Sequence, residues 1–284
     1  MMISKKVVVI GAGAAGLMAG ATAALYGASV TIIEKNKRVG RKIMITGKGR
    51  CNLANNCDVQ TFINNVPVNG RFLYSAINAF TPEDTIEFFE SKGLKTKTER
   101  GNRVFPASDK SVDVVDTMHD YAVESGCKIV CDTANALILE DGAVIGVKCE
   151  ENTYYADSVI ICCGGKSYPL TGSTGDGYTL AKQAGHTIVP LKPSLVPFTS
   201  GDKQCKDMQG LALKNVALRI VDKNRKKTVY SDFGEMLFTH FGMSGPMILS
   251  ASSHIRDIQP DRYIAGIDLK PALDFEHLDR RIQN

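Results

Sequence analysis

Residues Val7–Glu34 read VVVIGAGAAGLMAGATAALYGASVTIIE. Four apolar residues, Val7–Ile10, form the continuous run expected of a strand buried on both faces of a parallel sheet. Gly11, Gly13 and Gly16 follow in G-x-G-x-x-G spacing, and an Ala-rich run to Tyr26 suits a helix packed closely on that sheet. Gly27 is placed to end the helix. Ser29–Ile33 gives a second strand, closed by Glu34, which lies 18 residues beyond Gly16. Gly11 allows the tight turn, Gly13 lets backbone approach a pyrophosphate, and Gly16 lets the helix lie near the strand. The helix start, with Ala14 and Ala15, offers free N–H groups and a partial positive charge to phosphates. An acid where Glu34 stands can accept from ribose hydroxyls, which argues for a free 2′-OH and so for FAD or NAD rather than NADP. The motif alone leaves FAD and NAD both open. A structural turn in an unrelated α/β domain would have to produce strand, glycines, helix, strand and acid in this order by chance.

The chain has 284 residues, enough for one large domain or two smaller ones. At 44% apolar and 23% charged it has the composition of an ordinary soluble globular protein. A net charge of +4 is small for this length, and no basic stripe with interleaved aromatics is present, so nothing argues for nucleic acid. No run approaches the roughly 18 apolar residues of a membrane helix, and the Val7–Ile10 start is too short for a secretory signal. The expected compartment is the cytoplasm, without a membrane partner. Eight cysteines form no C-x-x-C pair and no Cys/His grid, so no metal site is expected and the thiols should be reduced. Cys162 and Cys163 read as two strand residues pointing to opposite faces.

Lys35–Asn56 is rich in glycine and in basic residues and has no helix or strand period, which predicts an ordered loop. It follows Glu34 at the C-terminal edge of the sheet, where ligands of such folds sit, so Arg38, Arg41, Lys42, Lys48 and Arg50 are placed to gather around phosphates. Five blocks occur together and in order: GAGAAGL (11–17), GRKIMITGKGRCNLAN (40–55), GNRVFPASDKSVDVVD (101–116), CCGGKSYPLTGSTGDGYTLAKQAGH (162–186) and GEMLFTHFGMSGPMIL (234–249). With these blocks the chain resembles the bacterial BaiN/RdsA-type NAD(P)/FAD-dependent oxidoreductases, some of them labelled aminoacetone oxidases. The resemblance implies bound FAD, a glutathione-reductase-like FAD-binding Rossmann domain, and an inserted β-rich second domain that covers the flavin and shapes a substrate pocket. It assigns the flavin side to Arg41, Lys42, Thr46, Gly47, Gly49, Arg50, Cys51 and Asn52. Relatives usually carry Ser-Gly-Gly-Gly-Arg-Cys-Asn here; Thr46 and Lys48 replace the serine and one glycine. Relatives also continue past residue 284, so the resemblance implies a C-terminally truncated chain whose sheet lacks a return strand.

Further along, Arg71–Phe80 and Thr81–Lys92 read as helices, the second with Thr81 as cap and Pro82 at the first position. Lys95–Arg103 is charged and expected to be exposed. Ser111–Ser125 has helical spacing, with Gly126 as its stop and His119 read as a surface or satisfied histidine and not as a catalytic one. Lys128–Gly165 is β-rich, with Asp141-Gly142 as a hairpin turn, and in the resembled fold this meander leads back to the sheet. A buried strand, Ser158–Cys163, then delivers Gly164 and Gly165 and a second glycine-rich turn, Gly172–Gly177, to the cofactor. Lys35, Thr174 and Gly175 join the candidate binding residues there. Asp176 either accepts from a hydroxyl or caps the helix Tyr178–Ala184. Pro190, Pro193 and Pro197 read as a domain crossing. The expected division is an FAD-binding domain over 1–191 and an inserted domain over 192–284. The second domain is read as short strands at Val216–Asp222, Thr228–Ser231, Met236–Thr239 and Tyr263–Leu269, a helix at Pro246–His254 and a helix start at Phe275–Asn284. His240 is either a polar group facing a pocket or a packed loop histidine.

The function these residues point to is an FAD-dependent oxidoreductase acting on a small organic substrate. NAD(P)H, visiting a shared site because no second G-x-G-x-x-G exists, or oxygen serves the other half-reaction. No catalytic acid or base can be named. The alternatives are a non-catalytic flavin- or nucleotide-binding remnant, and a disulfide reductase built on Cys51 and Cys57, whose C-x5-C spacing departs from the C-x4-C that such enzymes use.

Overall fold

A computed structural model describes residues 4–255 and 257–283. The chain divides into two compact units: one holds the residues up to Asn65 and Arg71–Val189, the other Val66–Gly70 and the residues from Pro190 onward.

The first unit is built on the opening motif. β1 (Lys6–Ile10), α1 (Ala14–Leu25) and β2 (Ser29–Glu34) follow one another as the apolar pattern requires. β2 lies parallel on β1, with Val7 beside Val30. Gly11, at φ 103°, donates its N–H to Ile33 O at 2.7 Å and so closes the turn. A side chain at Gly16 would overlap the Gly11 carbonyl oxygen, which is why only glycine lets the helix lie this close.

The chain then forms a 3-10 segment (Ile43–Gly49), β3 (Ala54–Asn55) and α2 (Val59–Asn64). α3 (Tyr74–Ala79) and α4 (Pro82–Ser91) follow, the latter opened by a reciprocal Thr81/Asp84 capping box with Pro82 in its first turn. β4 (Thr96–Glu99) and β5 (Arg103–Pro106) form a small antiparallel sheet of order β3-β5-β4. The charged stretch Lys95–Arg103 is exposed over most of its length, as expected, but Thr96, Lys97 and Glu99 are half-buried in β4, where Lys97 and Glu99 pair with each other, Asp109 and Arg50.

α5 (Ser111–Glu124) leads into β6 (Lys128–Cys131). β6 pairs parallel with β2, Thr31 beside Lys128, so KIVC belongs to the main sheet and not to the meander assigned to it above. The meander is β7 (Ala134–Glu140), β8 (Ala143–Cys149) and β9 (Thr153–Tyr155). Asp141 and Gly142, at φ 48° and 78°, make the hairpin turn whose twist suits antiparallel strands. β10 (Ser158–Ile161) returns to pair parallel with β1, giving a main sheet of order β10-β1-β2-β6. α6 (Asp176–Gln183) follows.

The main sheet is covered on both faces. Leu17, Ala21, Val30, Ile32, Val114, Val115, Met118 and Ala122 form the core under α1 and α5. Val8, Ile10, Ile33, Leu137, Val147 and Leu180 form the core under the meander and α6. Ile32 and Ile33 are buried to 0% and 1% exposure on opposite sides, so truncating either to alanine should cost about 2–5 kcal/mol. Cys162 packs with the first cluster and Cys163 with the second, as alternation along an extended segment requires.

The second unit is an antiparallel sheet of order β11-β14-β13-β12-β15, formed by β11 (Phe198–Thr199), β12 (Ala212–Asp222), β13 (Lys227–Thr239), β14 (Gly242–Ser244) and β15 (Tyr263–Asp268). α7 (Lys203–Asp207) and α8 (Pro246–His254) accompany it, and α9 (Phe275–Gln283) ends the described chain. Val216, Leu218, Ile220, Met236, Phe238, Met247, Ile248 and Ala251 make its core. The two short strands expected at Thr228–Ser231 and Met236–Thr239 are one strand, because Ser231, Asp232, Phe233 and Gly234 stay in ladder register with β12. Asn284, the last residue of the expected C-terminal helix, lies outside the described residues. Among the described residues no helix is long and apolar enough to cross a membrane.

Candidate cofactor-binding site

At the C-terminal ends of β1, β2, β6 and β10 the first unit holds a cavity of about 860 Å³. Ligand pockets run to about 300–1,000 Å³, so this one accommodates a dinucleotide-sized molecule. Its wall brings together residues distant in sequence: Gly11, Gly13, Ala14 and Ala15 from the first turn; Glu34, Lys35 and Asn36 after β2; Arg41, Lys42, Thr46, Cys51 and Asn52 from the basic loop; and Gly164, Gly172, Ser173 and Asp176 from the second glycine-rich region.

One end of the cavity has the chemistry to hold an anion. Gly13 is the extended N-cap of α1, no side chain caps that helix, and no acid stands in its first turn. A Cβ on Gly13 would meet no heavy atom within 4 Å, so a phosphate can come up to the backbone there. The first-turn N–H groups and the helix dipole then point at that phosphate.

Glu34 is 9% exposed and firmly held. Its Oε2 accepts from Ala12 N at 2.8 Å, and its Oε1 accepts from Asn36 N at 2.9 Å and Asn36 Nδ2 at 2.6 Å. The carboxylate stays fixed at the cavity wall, with acceptor capacity left for a ribose hydroxyl.

The two glycine-rich regions meet through side chains. Lys35 Nζ donates to Asp176 Oδ2 at 2.6 Å and to Thr174 Oγ1 at 2.7 Å. Thr174 Oγ1 donates to Asp176 Oδ1 at 2.8 Å. Burial pushes the Asp176 carboxyl up, but the Lys35 ammonium and the Thr174 hydroxyl outweigh it and hold the group below the usual carboxylate range. Asp176 stands in the first turn of α6, and the cap residue there is Gly175 at φ 94°, so Asp176 is not the cap. Lys42 Nζ donates to Ser167 Oγ at 3.3 Å, and Arg41 Nη1 donates to Asn36 Oδ1 at 2.6 Å. A Cβ on Gly172, at φ 98°, would stand 2.6 Å from Asn36 Nδ2, so this contact between the loops needs glycine.

The remaining expected residues shape the site without facing the cavity. Gly16 packs under Gly11, Gly47 packs on Phe105 and the Asn52 backbone, and Gly175 packs on Lys166. Gly49, Gly165 and Thr174 do not line the cavity. Arg50 turns away from the cavity to Glu99 and Asp109, at 2.7 and 3.2 Å. His240, in the second unit, is exposed and stands edge-on to Phe241 with ring centres 4.9 Å apart.

The cavity wall also holds residues that the local sequence pattern does not single out. Asp132, Thr133 and Ala134 follow β6 and line the cavity at its strand end. The signal for them was the apolar run KIVC ending in Asp132, legible only once KIVC is seen to lie in the parallel sheet, whose strand ends carry the ligand. Met18, Ile43, Phe89, Val114 and Met118 supply an apolar wall from the helical side. Cys51, Cys162 and Cys163 also line the cavity, and all eight cysteines are free. Burial raises the Cys51, Cys57 and Cys162 thiols and pushes Cys163 up to about 11, so none is an activated thiolate of the kind a disulfide reductase needs.

Among solved structures, the chain is similar to the open conformation of a flavocytochrome c3 fumarate reductase, with a TM-score of 0.52 and 18% identity over 78% of this chain and 53% of that one. That likeness shows a shared fold. Among curated proteins it is 32% identical to a 3-dehydro-bile acid delta(4,6)-reductase of Clostridium scindens, over 94% of this chain and 63% of the relative. It is 30% identical to a ribosomal RNA dihydrouridine synthase of Escherichia coli, over 95% of this chain and 64% of the relative. The chain thus spans a little under two thirds of the length of these relatives, which are of the BaiN and RdsA type anticipated from the motifs. A family model for the HI0933-like protein Rossmann domain matches residues 5–252. Family, fold and the residues of the cavity wall together support FAD as the cofactor. With the glycine turns, the buried acid and this match in agreement across most of its length, the chain belongs to the HI0933-like protein Rossmann domain family.

Proposed function

We propose that the protein is an FAD-dependent oxidoreductase that moves a hydride between flavin and a small organic substrate, with NAD(P)H or oxygen as the other partner. The observation that carries this reading is the convergence of Gly11–Ala15, Glu34, the Arg41–Asn52 loop and the Gly164–Asp176 region on one cavity. FAD, when bound, supplies the two-electron carrier; the chain supplies positioning, electrostatics and exclusion of water. In this reading Ala14 and Ala15 donate backbone N–H groups to the pyrophosphate, and Gly13 and Gly16 let the helix start come that near. Glu34 accepts from the adenosine ribose, while Lys35, Arg41 and Lys42 set a positive field. Thr46, Cys51 and Asn52 line the flavin side, with Gly164 and Asp176 opposite. Gly11, Gly47, Gly49, Gly165, Thr174 and Gly175 shape the turns that carry these groups. The apolar wall of Met18, Ile43, Phe89, Val114 and Met118 keeps water out. We further propose residues 1–191 as the cofactor-binding domain and 192–284 as the family's inserted domain; the separate hydrophobic core of the second unit supports this division. Free thiols suit a cytoplasmic setting.

The relative named for ribosomal RNA favours a second reading, in which the substrate is an RNA base. The small net charge of +4 supports the first. The test is to purify the protein, identify any released cofactor by mass spectrometry, and follow NADH and NADPH oxidation alone, with small enone acceptors and with ribosomal RNA. Yellow protein that releases FAD and turns over a small acceptor is expected. Turnover with RNA alone would move the function to the second reading. Colourless protein that cannot be reconstituted with FAD would leave a non-catalytic remnant.

A further inference from the structure

The segment Thr46–Asn52 takes an uncommon backbone path. Gly47, Lys48, Gly49 and Cys51 have φ of 54°, 59°, 85° and 62°. For L residues such as Lys48 and Cys51 this left-handed region is unfavourable, and it persists where the surroundings over-determine it. The segment's own hydrogen bonds are few: Cys51 N donates to Thr46 O at 3.0 Å and Arg50 N to Gly47 O at 3.3 Å. What holds the path lies outside the segment, on the small sheet. Leu53 N donates to Val104 O at 2.9 Å. The Asn52 side-chain amide, in the orientation that satisfies it, donates to Ala54 O at 2.9 Å and Val104 O at 3.2 Å. Gly47 lies against Phe105, whose ring would stand 2.9 Å from a Cβ placed there.

Arg50 completes this anchoring. Its Nη1 donates to Glu99 Oε1 at 2.7 Å and its Nη2 to Glu99 Oε2 at 3.3 Å, a two-pronged contact with β4. Nη1 also donates to Asp109 Oδ1 at 3.2 Å, beyond β5. The guanidinium carbon stands 4.1 Å above the Phe105 ring. Lys97 Nζ donates to Asp109 Oδ2 at 2.5 Å and fixes that carboxylate in turn. Lone surface ion pairs contribute little, but a forked, stacked and shared one restrains geometry. Arg50 Nη1 and Nη2 donate to these carboxylates, and Arg50 is not in the cavity wall, whereas Thr46, Cys51 and Asn52 are.

We propose that Arg50 is a positioning residue for the flavin side of the site: fastened to Glu99 and Asp109 and stacked on Phe105, it holds Thr46–Asn52 in the left-handed path that turns Thr46, Cys51 and Asn52 to the cavity. This rests on the FAD reading above, and it replaces direct contact between Arg50 and the cofactor. A charge-only role would survive substitution by lysine; a fork-and-stack role does not, because lysine lacks the planar group.

The test compares Arg50→Ala, Glu99→Ala, the double variant and Arg50→Lys by two readouts. The first is FAD affinity, from titration calorimetry on cofactor-stripped protein, with the visible absorption band of the bound flavin recorded alongside. The second needs no cofactor: the rate at which iodoacetamide alkylates Cys51, read by mass spectrometry, with Cys127 as control; the two are 5% and 7% exposed. Each alanine variant should weaken FAD binding by about tenfold, the double variant no further than the stronger single, and the flavin band should shift in each. Cys51 should alkylate roughly tenfold faster in both single variants while Cys127 keeps its rate, because only the path around Cys51 is released. Arg50→Lys should recover only part of either effect. An Arg50→Ala loss that multiplies with that of Glu99→Ala would show that Arg50 touches the cofactor, and unchanged Cys51 labelling in both singles would show that it positions nothing. Should Arg50→Ala not fold, Glu99→Gln carries both readouts. If the wild-type chain binds no FAD, the functional reading fails and Cys51 labelling alone decides the Arg50 proposal.

Discussion

Replacing Glu34 probes structure and function at the same atoms. In Glu34→Ala the backbone N–H groups of Ala12 and Asn36 lose their acceptors, at 2.8 and 2.9 Å. A buried donor left without a partner costs about 1–3 kcal/mol. Ala12 is fully buried, whereas Asn36 is only half-buried and regains water, so the sum should be about 2–4 kcal/mol. For a unit of this size that corresponds to a Tm lower by roughly 5–15 °C. Glu34→Gln keeps one carbonyl acceptor but turns an NH2 toward donors, and should fall between wild type and alanine. FAD affinity should drop as well, because a hydroxyl bonded to a carboxylate contributes about 1.5–3 kcal/mol, or roughly ten- to a hundredfold in Kd. Thermal unfolding of the cofactor-stripped protein and calorimetric titration with FAD measure the two effects separately. A Glu34→Ala protein within about 0.5 kcal/mol of wild type that binds FAD unchanged would refute both the buried-acceptor role and the ribose role.

Three further outcomes follow from single groups. Lys48→Gly removes a left-handed L residue at φ 59°; relief of about 1–2 kcal/mol less the entropy cost of glycine should leave a net gain of about 0.5–1 kcal/mol, seen as a Tm higher by roughly 1–3 °C. Asp176 has its folded pKa depressed by Lys35 and Thr174, so its contribution is present above the unfolded value and is lost as pH falls through the folded one. The Tm difference between wild type and Asp176→Asn should therefore hold constant from neutral pH to about pH 5 and close as pH falls on through the depressed folded value; a difference that closed at neutral pH would contradict the Lys35 pairing. Cys163, pushed up to about 11 by burial and by neighbouring Asp176, should resist iodoacetamide at mildly alkaline pH, where about one in a thousand of such thiols is ionised, while exposed Cys131 is labelled first in mass-spectrometric time courses.

What could be read from the chain alone was the part fixed by local rules. The β1-α1-β2 unit has each requirement within one another's reach in sequence: an apolar run, glycines where backbone must close up, and an acid at the strand end. The Thr81 capping box and the Asp141-Gly142 turn are legible for the same reason. What stayed hidden depends on partners far along the chain. KIVC reads alike as a meander strand or a parallel-sheet strand, and only its pairing with β2 assigns it to the main sheet and brings Asp132–Ala134 to the cavity. The charged run at Thr96–Glu99 reads as solvated surface until Arg50, 49 residues away from Glu99, arrives to pair with it. The direction of Arg50 was hidden too: a basic residue in a glycine-rich loop points to phosphate by composition, and only the carboxylates and the Phe105 ring beside it turn it the other way. Asp176 reads two ways because a carboxylate at a helix start can cap it or face a ligand; Gly175 takes the cap position, and the Asp176 carboxylate instead lines the cavity and holds Lys35 and Thr174.

In the proposed function two glycine-lined regions and the basic loop between them enclose one FAD. Hydrogen–deuterium exchange of the whole chain with and without FAD tests it most directly. FAD should slow exchange together in 11–16, 41–52 and 171–177, with Ala14 and Ala15 protected most strongly. Protection confined to 11–16, with 41–52 and 171–177 exchanging as they do without FAD, would contradict it.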